Sequence, residues 1–379
     1  EGVKMQSENS GFGLLTSRKK TAVGVDFDAA SLFAASPYRK ESNMIEIDGS
    51  VGEGGGQILR TALSLSLVTG QAFHLTNILA GRKKAGLMRQ HLVCVQAAKQ
   101  IGHAVVEGDY LHSTELRFTP HTVQAGHYHF AIGSAGSSML VLQTLLPVLM
   151  MQDQPSTLRL EGGTHNPMAP TADFIQRGFL PVLAKLGISV KFHCVQAGFF
   201  PVGGGVVEVE IQPWQQRQPL YLLERGELVA LNAYAGVQRL EQHIAERELA
   251  TLKQLLIIHE SGLLELDGCG QGNTALVEVV STAHPEVLTV PGETGRTAEQ
   301  VAKRLSGLVK RYLHHTGAVD EYLADQLLLP LALGVGGKYS CRVVSEHTRT
   351  QAMMIQRFLP VRIDILEHSS SWQIIVDCG

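Results

Sequence analysis

Apolar positions along the chain change period in a fixed order, and the order returns three times. Over 57–68 the hydrophobic residues keep a helical spacing, and 73–79 shifts to a strand. A polar loop at 80–84 then leads into a second helix over 86–101 and a strand over 103–107. The same succession reappears at 137–151, 157–161, 172–186 and 188–193 around a loop at 162–171. It comes back at 320–333, 339–344, 350–359 and 362–367 around a loop at 345–349. Copies of one supersecondary unit pack in equivalent orientations, so the three loops are predicted at equivalent ends, where Arg82, His165 and His347 could share a site.

A short strand at 44–48 and a glycine turn at 49–56 precede the first helix. The second and third copies lie about 125 residues apart, far more than neighbouring elements require. That interval carries its own pattern: strands at 228–234, 275–281 and 286–290, and helices at 243–258 and 297–315. The predicted organisation is a catalytic repeat domain over 44–219 plus 319–379, with a smaller α/β domain inserted at 220–318. Residues 1–43 differ in character and are expected to be a flexible leader or a cloning-derived extension, with Met44 as a natural start.

Composition narrows the function. A net charge of -3 excludes a general nucleic-acid coat, which needs many cations to neutralise phosphates, but leaves room for a local basic patch. Five scattered cysteines without a C-x-x-C pair fit reduced thiols in the cytoplasm, and no apolar run is long enough to span a membrane.

Four segments hold candidate chemistry. Gly52-Glu53-Gly54-Gly55-Gly56-Gln57-Ile58-Leu59-Arg60 runs a glycine loop straight into a helix, where backbone N–H groups attract phosphate; an ordinary tight turn is the plainer alternative. Arg60 sits among apolar neighbours and needs an anionic partner. The stretch 81–91 places Arg82, Lys83, Lys84 and Arg89 at a helix entrance, as a phosphate grip or as solvated charge. Gly203-Gly204-Gly205, preceding a strand, signals close backbone approach. His347, in a polar loop, is accessible, and neutral imidazole can attack phosphorus near pH 7. His127 and His129 alternate on one strand face without a third ligand, and neither they nor His314 and His315 are given a role.

Together these segments resemble the RNA 3'-terminal phosphate cyclase family. The likeness rests on D-G-S-x-G-E-G-G-G-Q-I-L-R at 48–60, R-K-K-A-G-L-M-R-Q-H at 82–91, F-A-I-G-S-A-G-S at 130–137, G-F-F-P-x-G-G-G at 198–205, E-Y-L-A-D-Q-L at 321–327 and the histidine at 347. It implies an α/β (α+β) fold of three repeats of a two-helix, four-stranded unit with a smaller inserted α/β domain. It also implies a ligase-class enzyme that uses ATP and a divalent metal, Mg or Mn, to turn an RNA 3'-phosphate into a 2',3'-cyclic phosphodiester. His347 would be the nucleophile that carries AMP. Glu53 would be the metal-linked carboxylate, and Arg60, Arg82 and Arg89 would clamp phosphates. Gln90, His91 and Gln143 would lie near nucleotide or RNA phosphate, Pro170 and Tyr322 would wall the adenine, and Asp325 would orient His347. RNA and ATP are the expected partners, with no membrane and no stable protein partner. Two other classes share this kind of scaffold: a non-catalytic ribosome-assembly factor, which would lack the histidine, and an enolpyruvyl transferase, which would not need it.

Overall fold

The computed structural model describes residues 44–52, 55–81 and 85–379; the leader expected over 1–43, together with Glu53 and Arg82, lies outside the described residues. The chain is mixed α/β, built on four small mixed sheets. In the first, β1 (Ile45–Asp48) crosses through helix α1 (Gly56–Thr69) to a parallel β2 (Phe73–Thr76). Helix α2 (Arg89–Ile101) then leads to β3 (Val105–Glu107) and β4 (Leu116–Thr119). β4 lies antiparallel between β2 and β3, giving the order β1-β2-β4-β3. The second sheet takes β5 (His127–Ala131), α3 (Ser138–Leu149), β6 (Ser156–Gly162), α4 (Ala172–Phe174), a π-helical turn (Ile175–Phe179), α5 (Leu180–Lys185), β7 (Val190–Gln196) and β8 (Gly205–Ile211). Its order, β5-β6-β8-β7, and its pairing senses match those of the first.

After β9 (Leu220–Leu222) the chain departs into β10 (Leu228–Gln238), α6 (His243–Leu255), β11 (Glu260–Leu263), β12 (Gly272–Ser281), β13 (Pro285–Pro291) and α7 (Ala298–His314). These strands form their own sheet in the order β11-β10-β12-β13. The chain then returns through α8 (Glu321–Leu333), β14 (Gly337–Cys341), α9 (Glu346–Phe358), β15 (Arg362–Glu367) and β16 (Trp372–Asp377). β9 pairs in parallel with β14, completing the order β15-β16-β14-β9, so residues 220–222 share a sheet with β14 to β16 and the separate sheet starts at β10. Ser340 Oγ donates to Leu223 O (2.6 Å) and accepts from Ala318 N (2.9 Å), holding the chain both where it leaves the third sheet and where it comes back.

Two apolar cores result. The larger gathers α1, α2, α3, α8 and α9 over their sheets, and the smaller is confined to residues between Leu231 and Tyr312. Helix α1 is central to the first, packed against α2, α3 and α9. Ala62, Leu63 and Leu65 are fully buried, and each such leucine contributes roughly 1.5–3 kcal/mol. Ser64 Oγ donates to Thr144 O (2.7 Å), fastening α1 to α3. The middle of α1 is enclosed, and its glycine-led N-terminus stays partly exposed.

Three local departures from the sequence pattern have physical causes. The strand expected over 73–79 stops at Thr76 because Asn77 and Leu79 both take left-handed φ of 54°. The helix expected over 172–186 widens into a π turn before Pro181, which has no N–H for the ladder and crowds the carbonyl four residues earlier. The last helix starts at Glu346 rather than at 350, because Ser345 Oγ caps it by accepting from Thr348 N (3.2 Å).

Candidate active site

Capping by Ser345 moves His347 out of the expected loop and into the first turn of α9, where it is exposed. Its ring faces the first turn of α1: Nδ1 lies 2.8 Å from Gln57 Oε1. Gln57 is buried, and its amide orientation is fixed from behind, since Nε2 donates to Asp325 Oδ1 (2.7 Å) and to Gln351 Oε1 (3.2 Å). Thr61 Oγ1 also donates to Gln351 Oε1 (2.6 Å). An amide that spends its N–H groups on two acceptors has only its oxygen for the histidine, so His347 Nδ1 carries the proton and donates. Nε2 is then the unprotonated ring nitrogen.

Beside this ring stand Arg60 and the N-terminus of α2. Arg60 keeps some exposed surface but is enclosed enough that burial lowers its pKa below the ordinary arginine value, with Cys94 and Asp325 acting the other way. His91 is buried, and its Nδ1 accepts from Met88 N (3.3 Å), so Nε2–H points toward Gly56. A Cβ at Gly56 would run into His91 Nε2 and come within 2.9 Å of Arg60 Nη1, so only glycine lets the loop pass this close. Arg89 is exposed, with Nη1 donating to Gly133 O (3.4 Å), and Gln90 Oε1 accepts from Ser137 N (3.3 Å). The N-termini of α1, α2, α3 and α9 thus meet through contacts between neighbouring side chains and turns. The family model of RNA 3'-terminal phosphate cyclases matches residues 51–365.

The chain belongs to that family. Membership implies action on RNA 3'-terminal phosphates, and the remaining expected site residues can be placed against it. Asp325 reaches the imidazole by way of the Gln57 amide. Gln143 Nε2 donates to Gln326 Oε1, bridging α3 to α8. Pro170 is partly buried just before Thr171, whose hydroxyl caps α4. Tyr322 is 64% exposed on the first turn of α8, and partial burial with the nearby Glu321 pushes its phenol pKa up. His165 does not join His347: it is an interior residue with Nδ1 on Thr164 Oγ1 (2.7 Å), Nε2 on Asp173 Oδ2 (2.9 Å) and its ring stacked on Phe199. His127 and His129 are spoken for by Thr157 and Glu161 across the second sheet.

Glu53 and Arg82 lie outside the described residues. Among the described residues no three His, Cys, Asp or Glu side chains stand together as a metal cage, so the donors that the structure describes do not fit a divalent ion held by protein alone. Gln57 and Gln326 fall inside segments singled out in the sequence but were given no role of their own, and Thr61 and Gln351 were not singled out. For Gln351 the available signal was that it lies four residues beyond His347, on the same side of a helix.

Proposed function

We propose that this chain converts an RNA 3'-terminal phosphate to a 2',3'-cyclic phosphodiester at the expense of ATP, through AMP carried on His347. The observation that carries the reading is the 2.8 Å contact of His347 Nδ1 with Gln57 Oε1, which fixes the proton on Nδ1 and makes Nε2 the unprotonated, nucleophilic nitrogen. Nε2 attacks the α-phosphorus of ATP; a P–N bond forms, the bond to the bridging oxygen breaks, and pyrophosphate leaves. The ring becomes cationic and keeps its Nδ1 proton on Gln57, with the Asp325 carboxylate behind. An oxygen of the RNA 3'-phosphate then attacks the same phosphorus, the P–N bond breaks, and His347 returns neutral. In the resulting anhydride AMP is a good leaving group, so the neighbouring 2'-hydroxyl closes the ring, releasing AMP and losing its proton. Such transfers depend on in-line placement and charge neutralisation, for which Arg60 and Arg89 are suited; a phosphate beside Arg60 would also compensate its desolvation.

Glu53 and Arg82 complete the reading as metal-linked carboxylate and clamp, and Pro170 and Tyr322 as adenine walls, while Mg or Mn is given no step. Equal strand order and pairing in the first, second and third sheets support three copies of one two-helix, four-stranded unit, and the separate smaller core supports an inserted domain. Five unpaired thiols support a cytoplasmic setting.

Incubation with α-labelled ATP and a divalent metal tests the reading. Wild type should take up acid-labile label, and His347→Ala should fold normally and take up none. Label of equal amount on the variant would remove His347 as nucleophile.

A further inference from the structure

The turn Phe199–Gly203 at the edge of the second sheet pairs a buried aromatic with a displayed one. Phe199 is 4% exposed, closed over by Gly203 N donating to Phe199 O (2.6 Å) and stacked at 5.0 Å on His165. Thr164 N and His165 N both donate to Gly198 O, and Ala197 N donates to Asp267 O (2.8 Å). On the insertion's side, a Cβ at Gly270 would meet Val202 at 3.0 Å. From this braced tip Phe200 and Val202 project, 71% and 53% exposed.

The tip is continuous with the histidine. A Cβ at Gly203 would lie 2.8 Å from Ser134 O, and one at Gly136 3.0 Å from Gln90 Cβ. His91 borders Gly56, and Gln57 holds His347. Exposed Arg89, bonded to Gly133 O, lies along this line. With a net charge of -3 the chain has little long-range attraction for RNA beyond its local cations, so an uncharged contact to the last bases adds grip that charge alone does not supply. A rigid exposed ring suits that task, because every base has a face to stack and none need be specified.

We propose that Phe200, with Val202 beside it, is the platform on which the last unpaired bases of the RNA substrate stack while the 3'-phosphate is at His347. This rests on the cyclase reading. The test compares wild type, Phe200→Ala and Phe200→Trp on a 3'-phosphorylated single strand and on the same strand lacking its last two bases. Expected for Phe200→Ala is a rise of about tenfold or more in KM for the ordinary strand, restored by Phe200→Trp. On the strand without bases, wild type and Phe200→Ala should agree within about twofold, and label uptake from ATP should be retained. Equal KM values on the ordinary strand, or a penalty that persists without the bases, would overturn the proposal and leave the surface for a protein partner. Fluorescence anisotropy of a labelled strand reads the same contrast by binding alone. If wild type takes up no label, the cyclase reading fails on that count, and the anisotropy comparison still decides whether Phe200 holds bases.

Discussion

Gln57 uses both ends of one amide: its oxygen takes the proton of His347 Nδ1, and its nitrogen is committed to Asp325 and Gln351. Rotating that amide would put an N–H against the imidazole and favour the other tautomer, with the proton on the attacking nitrogen. Gln57→Leu should therefore lower the rate of label uptake from saturating ATP by about 10–100-fold, the usual penalty for removing a partner that orients a reactive imidazole. The fold should survive, since leucine fits the buried setting; single-turnover labelling beside a melting curve checks both. A variant that labels at the wild-type rate would mean that the amide does not set the tautomer. Arg60 illustrates the opposite economy, a cation enclosed at some cost where an anionic ligand can compensate it.

Helix starts, more than helix middles, determine where the candidate groups lie. Ser345 closes the first turn of α9 on Thr348 N and so aims His347 at α1. Ser345→Ala should cost about 1 kcal/mol as a lost cap, and should also slow label uptake because the first turn frays. Denaturant titration and labelling on the same preparation separate the two effects; slowed chemistry without any loss of stability would count against capping as the cause. The long periodic helices were legible in sequence because ten or more residues display a period. β9, with three residues, and β11, with four, show no period of their own, and unlike the equally short β1 and β3 they were not read from the sequence. The glycine turn before α1, Arg60 and the histidine were legible as chemistry. The hydrogen bond from Gln57 to Gln351 was not, since it joins residues 294 apart that only tertiary packing brings together.

Across the whole molecule, the smaller core holds a titratable group that its packing penalises. Glu248 of α6 is 0% exposed; Oε2 accepts from Asn273 Nδ2 (3.0 Å), while Oε1 is buried without a hydrogen-bond partner. Burial pushes this carboxyl up to about 7 from 4.5. The fold favours the protonated form, so the stabilisation this group gives is complete below about 4.5 and is lost as pH rises through 7. Glu248→Gln stays neutral throughout and should exceed wild type at pH 8 by on the order of 1–3 kcal/mol, with no advantage at pH 4.5. Paired melts at the two pH values check the sign, and an equal advantage at both would refute it.

The Ser340 hydroxyl draws together two points of the backbone that are far apart in sequence, Leu223 and Ala318. Because both anchors share one side chain, Ser340→Ala would loosen the departing and the returning stretch of chain together rather than one at a time.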